Sequence, residues 1–450
     1  MDVKENKLGT MPIGRLLLNM SVPMMISMLV QALYNMVDSM FVARISEEAL
    51  TAVAMAFPMQ NMMSAIGVGT GVGMSALVSR SLGQGNPTRA EKAANVQVFL
   101  SACYTLAFVI IGAFFVRRFY TSQTQIESIV DYGVEYLSVV CLWSVGCFFG
   151  QNLEKLLTAT GYSALSMVAQ ISGALFNILF DWLLIFGVGP FPELGVRGAA
   201  IATVMGQIFA ALLALVFNLR YNHAVRLRFY RMLPDRDTIQ KIYAVGIPSM
   251  LTIGLGSVMN YCVNQILLGF STTATAVFGI WMKMQSFAFM PVYGMNNGTI
   301  AIYSYNYGAK YYHRVRGTLK LALKLGLCIT LAVMGLYEAL PRLMLRLFSA
   351  SDYMYAIGIP ALRLCSLSLP FGAAALILSS CCQTMGRARY TLFVNFLRHL
   401  GIQVLAMWLL SLSGVLTLVW FAPLIAEAGA MTAAIFLSRR VLQRLDAPKD

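Results

Sequence analysis

Twelve runs of about twenty or more mostly apolar residues follow one another along this chain, and that pattern leaves few folds open. At about 1.5 Å of rise per residue, each run is long enough to cross the hydrocarbon of a bilayer as a helix. By apolar length and breaker residues the spans fall at 13–43, 49–79, 93–116, 129–157, 163–188, 197–219, 239–270, 273–306, 319–341, 356–384, 389–413 and 415–438. Only 12% of the 450 residues are charged, against about a quarter in soluble domains, and the mean hydropathy is +0.70. Strand-like alternation is absent, which argues against a barrel. The expected fold class is an all-α polytopic membrane protein embedded in the lipid bilayer.

The net charge of +14 does not point to nucleic acid, because no basic, aromatic-interleaved soluble segment is present. The cations lie in loops. Lys4, Lys7 and Arg15 precede span 1, Arg80, Arg89 and Lys92 follow span 2, and Arg220 to Lys241 separate spans 6 and 7. Lys310, Arg314, Arg316 and Lys320 follow span 8, Arg387 and Arg389 follow span 10, and Arg439, Arg440, Arg444 and Lys449 close the chain. With twelve alternating spans all of these share one side. Both termini and the 220–241 connector are therefore expected in the cytoplasm, with the chain multi-pass in the cell's inner or plasma membrane. The polar start, Met1 to Lys7, predicts no cleavable signal peptide. The eight cysteines sit mostly in apolar runs and read as small packing residues, not as a zinc site.

The long basic connector lies at the midpoint, and an internal repeat runs across it. One offset, 225 residues (248 − 23), aligns Pro23 with Pro248, Asn35 with Asn260, and Met59-Gln60 with Met284-Gln285. It also aligns Gly69, Gly73, Gly83 and Arg89 with Gly294, Gly298, Gly308 and Arg314. Six spans separate the copies, so they share an orientation and are related by an axis along the membrane normal. Residues 1–219 are expected to form one six-helix lobe and 242–450 the other, joined by 220–241.

Asp38, in the stretch Asn35 to Met40, is a carboxylate late in span 1, and Asp181 is another late in span 5. An acid inside the membrane is costly, by roughly a few kcal/mol, and marks a functional site by default. Asn177 lies one turn from Asp181 on the same helix face, and Thr203 in span 6 falls at similar depth. Asp38 matches Val263, so cation chemistry is expected to be concentrated in the first half. For the cargo cavity the candidates are the matched polar pairs Asn35/Asn260 and Gln60/Gln285, with Trp281, Lys283 and Arg398. Glu154 and Lys155 read as a local pair near the cytoplasmic end of span 4. The run Gly67 to Gly73 lacks the lysine of a phosphate loop and reads as close helix packing. Pro23 and Pro248 are expected to kink their helices. The 28 methionines suit an adaptable apolar cavity.

Three stretches carry a family resemblance: the loop Ser79 to Asn86, the motif Asn177-x3-Asp181, and Gly195-x2-Gly198-Ala199-Ala200-x2-Thr203. With the span-1 acid Asp38, and over nearly its whole length, the chain resembles a bacterial member of the multidrug and toxic compound extrusion (MATE) family. The resemblance implies two lobes in a V around a central cavity, and export of small cationic amphipathic molecules against inward H⁺ or Na⁺. It implies that Asp38, Asn177, Asp181 and Thr203 bind the coupling ion, Na⁺ included, with no other cofactor. Spans 7, 8 and 10 hold no Asp or Glu, so the second-lobe ion site of some branches is not expected. The chain is expected to work as a monomer. The rival reading is a flippase for lipid-linked or polysaccharide precursors, kept open by Lys283, Arg398 and His399. An enzyme is not expected: His-Glu-x-x-His and Gly-x-Ser-x-Gly are both absent.

Overall fold

Two helices cross at matched glycines near one end of the molecule, and the rest of the chain is arranged about that crossing. The structure, a computed structural model, describes residues 6–227, 234–348 and 351–443. All regular structure among them is helical. The first half holds α1 (Lys7–Thr10), α2 (Ile13–Ala43), α3 (Glu47–Met55), α4 (Phe57–Gly83), α5 (Pro87–Phe114), α6 (Val116–Thr121), α7 (Glu127–Leu142), α8 (Val145–Ala159), α9 (Ser163–Phe186) and α10 (Gly195–Tyr221). The second holds α11 (Arg236–Leu268), α12 (Thr272–Gly308), α13 (Tyr312–Ala339), α14 (Pro341–Arg346), α15 (Asp352–Ser366), α16 (Leu369–Thr384) and α17 (Ala388–Phe396). A π-helical stretch (Leu397–Val404) then leads to α18 (Leu405–Ser411), α19 (Leu416–Val419) and α20 (Ala422–Gln443).

Each expected span coincides with one long helix or with pieces joined at a short break. Among the described residues ten spans are long and apolar enough to cross a membrane, and the pair α7–α8, bent by 48°, makes eleven. The remaining long helix, α12, has 37 residues but carries Lys283, Gln285, Asn296 and Asn297, and its apolarity falls short. Most of it beyond Ala288 is covered by protein. The expected span 49–79 is broken because Pro58 sits in the first turn of α4, where its missing N–H is tolerated but continuation from α3 is not. The matched position (58 + 225 = 283) is Lys283, and α12 runs through it unbroken. Helices also occupy 220–221 and 236–241, so the connection between halves is shorter than expected; its residues 228–233, with Arg228 and Arg231, lie outside the described residues.

α4 packs on α11, and α12 packs on α2. A Cβ placed on Gly69 meets Met250 Cγ at 2.5 Å, and one on Gly294 meets Met25 Cα at 2.5 Å. One on Gly73 comes to 3.3 Å from the Gly246 nitrogen, and one on Gly298 to 3.0 Å from that of Ser21. A side chain at Gly83 would fall on the Tyr305 carbonyl, and one at Gly308 on the carbonyl of Arg80. Every pair recurs 225 residues on with the partners exchanged, as a twofold relation requires. Glycine is what lets these backbones approach.

The first long helix of each half reaches across. Leu16, Leu17 and Met20 of α2, with Leu8, are fully buried in the core of the second half. Ile242 of α11 is buried with Met74 and Val78 in a first-half core. The halves are therefore interlocked and not cleanly divided at the connector. α2 passes through Pro23 without a break. Pro23 cannot bond the carbonyl of Asn19, and the Ser163 hydroxyl donates to that carbonyl instead, at 3.0 Å.

The expected same-side segments do lie together. Arg314 Nη2 donates to the Met11 carbonyl at 2.6 Å, and Arg316 Nη2 to the Leu442 carbonyl at 3.1 Å. Lys92 pairs with Asp235 at 2.9 Å. Asp235 caps α11 through the Thr238 amide, and bonds from Thr238 and Lys92 hold its carboxyl down to about 2. Lys4, Arg444 and Lys449 lie outside the described residues.

Candidate ion and cargo site

Close helix approach builds the site. Gly173 of α9 and Gly206 of α10 face each other: a Cβ on Gly173 would lie 2.8 Å from the Gly206 carbonyl, and one on Gly206 2.8 Å from that of Gly173. That approach sets Asn177 against α10. With its amide nitrogen toward Asp181, Asn177 donates to Asp181 Oδ2 at 3.3 Å and accepts from the Thr203 backbone N–H at 3.1 Å. Thr203 thus joins through its main chain, where its side chain was the expected ligand. The Asp38 carboxyl, on α2, lies beside that of Asp181, near enough for the two to share a proton. All four expected ion residues come together.

Asp181 is fully buried, Asn177 nearly so, and Asp38 half-buried. Asp38 Oδ1 and Asp181 Oδ1 are enclosed, and no N–H or O–H donor reaches either. A buried acceptor without a donor costs about 1–3 kcal/mol, so the pair is suited to a proton or a small hard cation between its oxygens. No group of three or more acidic, His or Cys side chains able to hold a metal ion occurs among the described residues.

A cavity of about 250 Å³ opens beside the acids. Asn177 and Thr203 form part of its wall, with Gln31 and Tyr34 of α2. α8 supplies Gln151, Glu154 and Lys155, and α12 supplies Asn297. Glu154 and Lys155 act on each other through space, as the local pair expected from sequence, but each takes its hydrogen bond elsewhere. Glu154 Oε2 accepts from Gln170 Nε2 at 2.6 Å, and Lys155 Nζ donates to Asn297 Oδ1 at 2.8 Å. Consecutive residues on a helix point about 100° apart, which separates their partners.

None of the seven expected cargo residues lines this cavity. Asn35 is exposed on α2, and Asn260 and Gln285 are half-buried. Gln60 donates to the Tyr136 hydroxyl at 3.1 Å. Trp281 is buried in the second core. Lys283 is exposed, 5.8 Å from the Phe348 ring, and forms no network with Arg398. Arg398 is buried and closes on Glu427 Oε1 through Nε at 2.7 Å and Nη2 at 2.6 Å. The lining residues that the sequence reading missed carried only their polarity as a signal, since Gln31, Gln151, Gln170 and Gln207 all interrupt apolar runs.

Fold and cavity define a polytopic helical transporter built from a repeat. The MatE family model matches residues 23–183 and again 248–409, two matches whose starts differ by the repeat offset (248 − 23 = 225). A Shewanella oneidensis protein named FAD transporter is 29% identical over 329 residues, covering 70% of this chain and 69% of that one. The multidrug export protein MepA of Staphylococcus haemolyticus is 23% identical over 443 residues, 97% of this chain and 96% of that one. The fold superposes on an outward-facing multidrug resistance MATE family transporter with a TM-score of 0.92 at 24% identity, covering 98% of each. The chain belongs to the MATE family of membrane transporters, which are not enzymes.

Proposed function

We propose that the chain is a secondary antiporter that exports small organic cations in exchange for H⁺ or Na⁺, as a single chain, by alternating access between lobes 1–219 and 242–450. The observation that carries this reading is the proximity of Asp38 and Asp181, linked through Asn177 to a cavity that Asn177 and Thr203 line. A hydrogen bond between two carboxyls needs one proton, so the pair is a natural place to load and release an ion. The name of the staphylococcal relative supports drug export.

In the mechanism the ion enters from outside and lodges between the two carboxyls. Neutralising them alters the bonds that tie α2 to α9 and α10. α2 then bends near Pro23, where the Asn19 carbonyl already depends on Ser163, and cavity volume is lost to the cargo. Inside, the ion leaves and cargo binds again. Only a difference in ion affinity between the two states moves this cycle.

A flippase for pyrophosphate-linked precursors calls for several cations in the cavity. Among the described residues Lys155 is the one cation in its wall, Arg398 is spent on Glu427, and Lys283 is exposed. Dye efflux from proteoliposomes under an imposed proton or sodium gradient tests the antiport. Asp38→Asn is expected to abolish gradient-driven export with the protein still folded, Asp181→Asn to weaken it and shift its pH dependence, and Val263→Ala to change little. Wild-type export rates in Asp38→Asn would overturn the mechanism.

A further inference from the structure

One face of α13 begins as a row of cations. Arg316, Lys320 and Lys324 follow at one-turn steps, and Cys328, Leu331 and Gly335 continue the same face. Lys320, Lys324, Cys328, Leu331 and Gly335 are all exposed, and a Cβ on Gly335 meets nothing within 4 Å. Arg316 is engaged by the chain through the Leu442 carbonyl. Lys320 and Lys324 pair with no acid among the described residues. Counting from Tyr312, Lys320 stands about 12 Å and Lys324 about 18 Å along the helix. Lys324 therefore lies level with lipid chains, where a lysine reaches back along its stem toward the headgroups. Helical side chains lean toward the helix N-terminus, which in α13 is the basic end, so both ammoniums point that way. The first half treats the matched face differently. The counterparts of Arg316, Lys320, Lys324 and Cys328 are Glu91, Asn95, Phe99 and Cys103, each 225 residues earlier. Asn95 is buried, and its amide donates to the Arg226 carbonyl at 3.4 Å. Val225 is buried in the same core that Phe99 packs against. The chain after α10 thus covers α5 where α13 stands open.

We propose that this face of α13 binds an anionic phospholipid, with the headgroup phosphate between Lys320 and Lys324 and an acyl chain along Cys328, Leu331 and Gly335. The phosphate answers two charges that no described acid of the chain answers. The apolar continuation of the face selects a lipid over a soluble anion, since only a molecule with both parts covers it. Lysine holds a phosphate as a point charge, without the fixed fork of arginine, which suits a headgroup free to tilt. The matched face of the first half lacks these cations, so the lipid grips one half alone. The site goes beyond the antiport reading and makes no use of Asp38 or Asp181.

The repeat supplies its own control, because Cys103 and Cys328 are both exposed and stand at matched positions (328 − 225 = 103). Each is labelled alone with bimane in phosphatidylcholine nanodiscs, the other and the half-buried Cys262 being replaced by alanine. Chain-brominated phosphatidylglycerol or phosphatidylcholine is titrated in, and quenching is read at each label. At Cys328 the brominated phosphatidylglycerol is expected to quench at about twentyfold lower mole fraction than the phosphatidylcholine, roughly fivefold from each lysine. At Cys103 the two lipids should quench alike, since any pull from the net charge of the basic end acts on both labels. Lys324→Gln should cut the preference at Cys328 about fivefold, Lys324→Arg should keep it, and Lys320→Gln with Lys324→Gln should abolish it. Both lysines are exposed, so these variants leave the core intact. An equal preference at the two labels overturns the proposal, and so does a preference that survives in the double variant or is missing at Cys328. A preference that emerges only once residues 444–450 are removed would mean that Asp446 or Asp450 takes the lysines, and that outcome overturns it too.

Discussion

Asp38 and its counterpart Val263 carry the chemical difference between the halves. Val263 is fully buried in the second core, and the positions matching Asn177, Asp181 and Thr203 (402, 406 and 428) are Ile402, Ala406 and Ala428. The second half has no ion site of this kind. What it has instead lies one turn away. The counterparts of Gly173 and Ala202 are Arg398 and Glu427 (173 + 225 and 202 + 225), so two positions held by small residues in one half carry a buried ion pair in the other. Arg398 also lies 5.4 Å from the Phe289 ring, while Glu427 Oε2 has no donor. Removing one partner strands the other. Arg398→Ala is expected to destabilise the protein by about 3–5 kcal/mol, whereas Arg398→Met with Glu427→Leu should regain most of that. Melting of the purified variants reads the difference, and a double variant as unstable as the single one would count against a purely structural pair. The ion residues were legible because an acid in an apolar run advertises its cost. The cargo wall was not: Glu154 and Lys155 are neighbours in sequence, but their partners Gln170 and Asn297 lie 16 and 142 residues away.

At the scale of helices, the glycines explain why the repeat keeps its register. The sequence pattern marked Gly69 and Gly73 for close packing, and the structure supplies the partner, α11. Hydrophobic length marked every long helix, but the breaks needed local reasons. Pro58 parts α3 from α4, while in the second half Leu367 and Ser368 part α15 from α16 just ahead of Pro370. The π-helical stretch Leu397–Val404 carried no sequence signal; it holds Arg398 opposite α20. The crossing at Gly83 and Gly308 was invisible for another reason, since no pattern says which of two distant glycines meets which carbonyl. Because the two contacts are equivalent, Gly83→Ala and Gly308→Ala should cost similar stability, about 1–3 kcal/mol each from overpacking. Gly14→Ala, with nothing within 4 Å of the new methyl, should cost none. Melting temperatures of the three variants check this, and a loss at only one of the crossing glycines would break the equivalence.

For the whole molecule, the segments whose basic residues are expected to share a side are in contact with one another. Arg314 holds the start of the chain, Arg316 holds its end at Leu442, Lys92 holds the connector at Asp235, and Arg80 lies over the Tyr307 ring at 4.8 Å. The glycine crossing is at this same end, so the halves are closed there. Lysine and arginine are retained on the cytoplasmic side during insertion, so we expect the closed, basic end to face inward and the acid site to lie toward the outer half. His223 is exposed just after α10 at the basic end, and Ser122 is exposed after α6 at the opposite end. In a background with the exposed Cys103 and Cys328 replaced by alanine, His223→Cys should resist a membrane-impermeant maleimide on intact cells and react once the cells are opened. Ser122→Cys should react from outside in both conditions. Efficient labelling of His223→Cys on intact cells would invert the molecule. The carboxyl pair Asp38–Asp181 would then lie nearer the cytoplasm, and an inward-driven proton would meet it last instead of first.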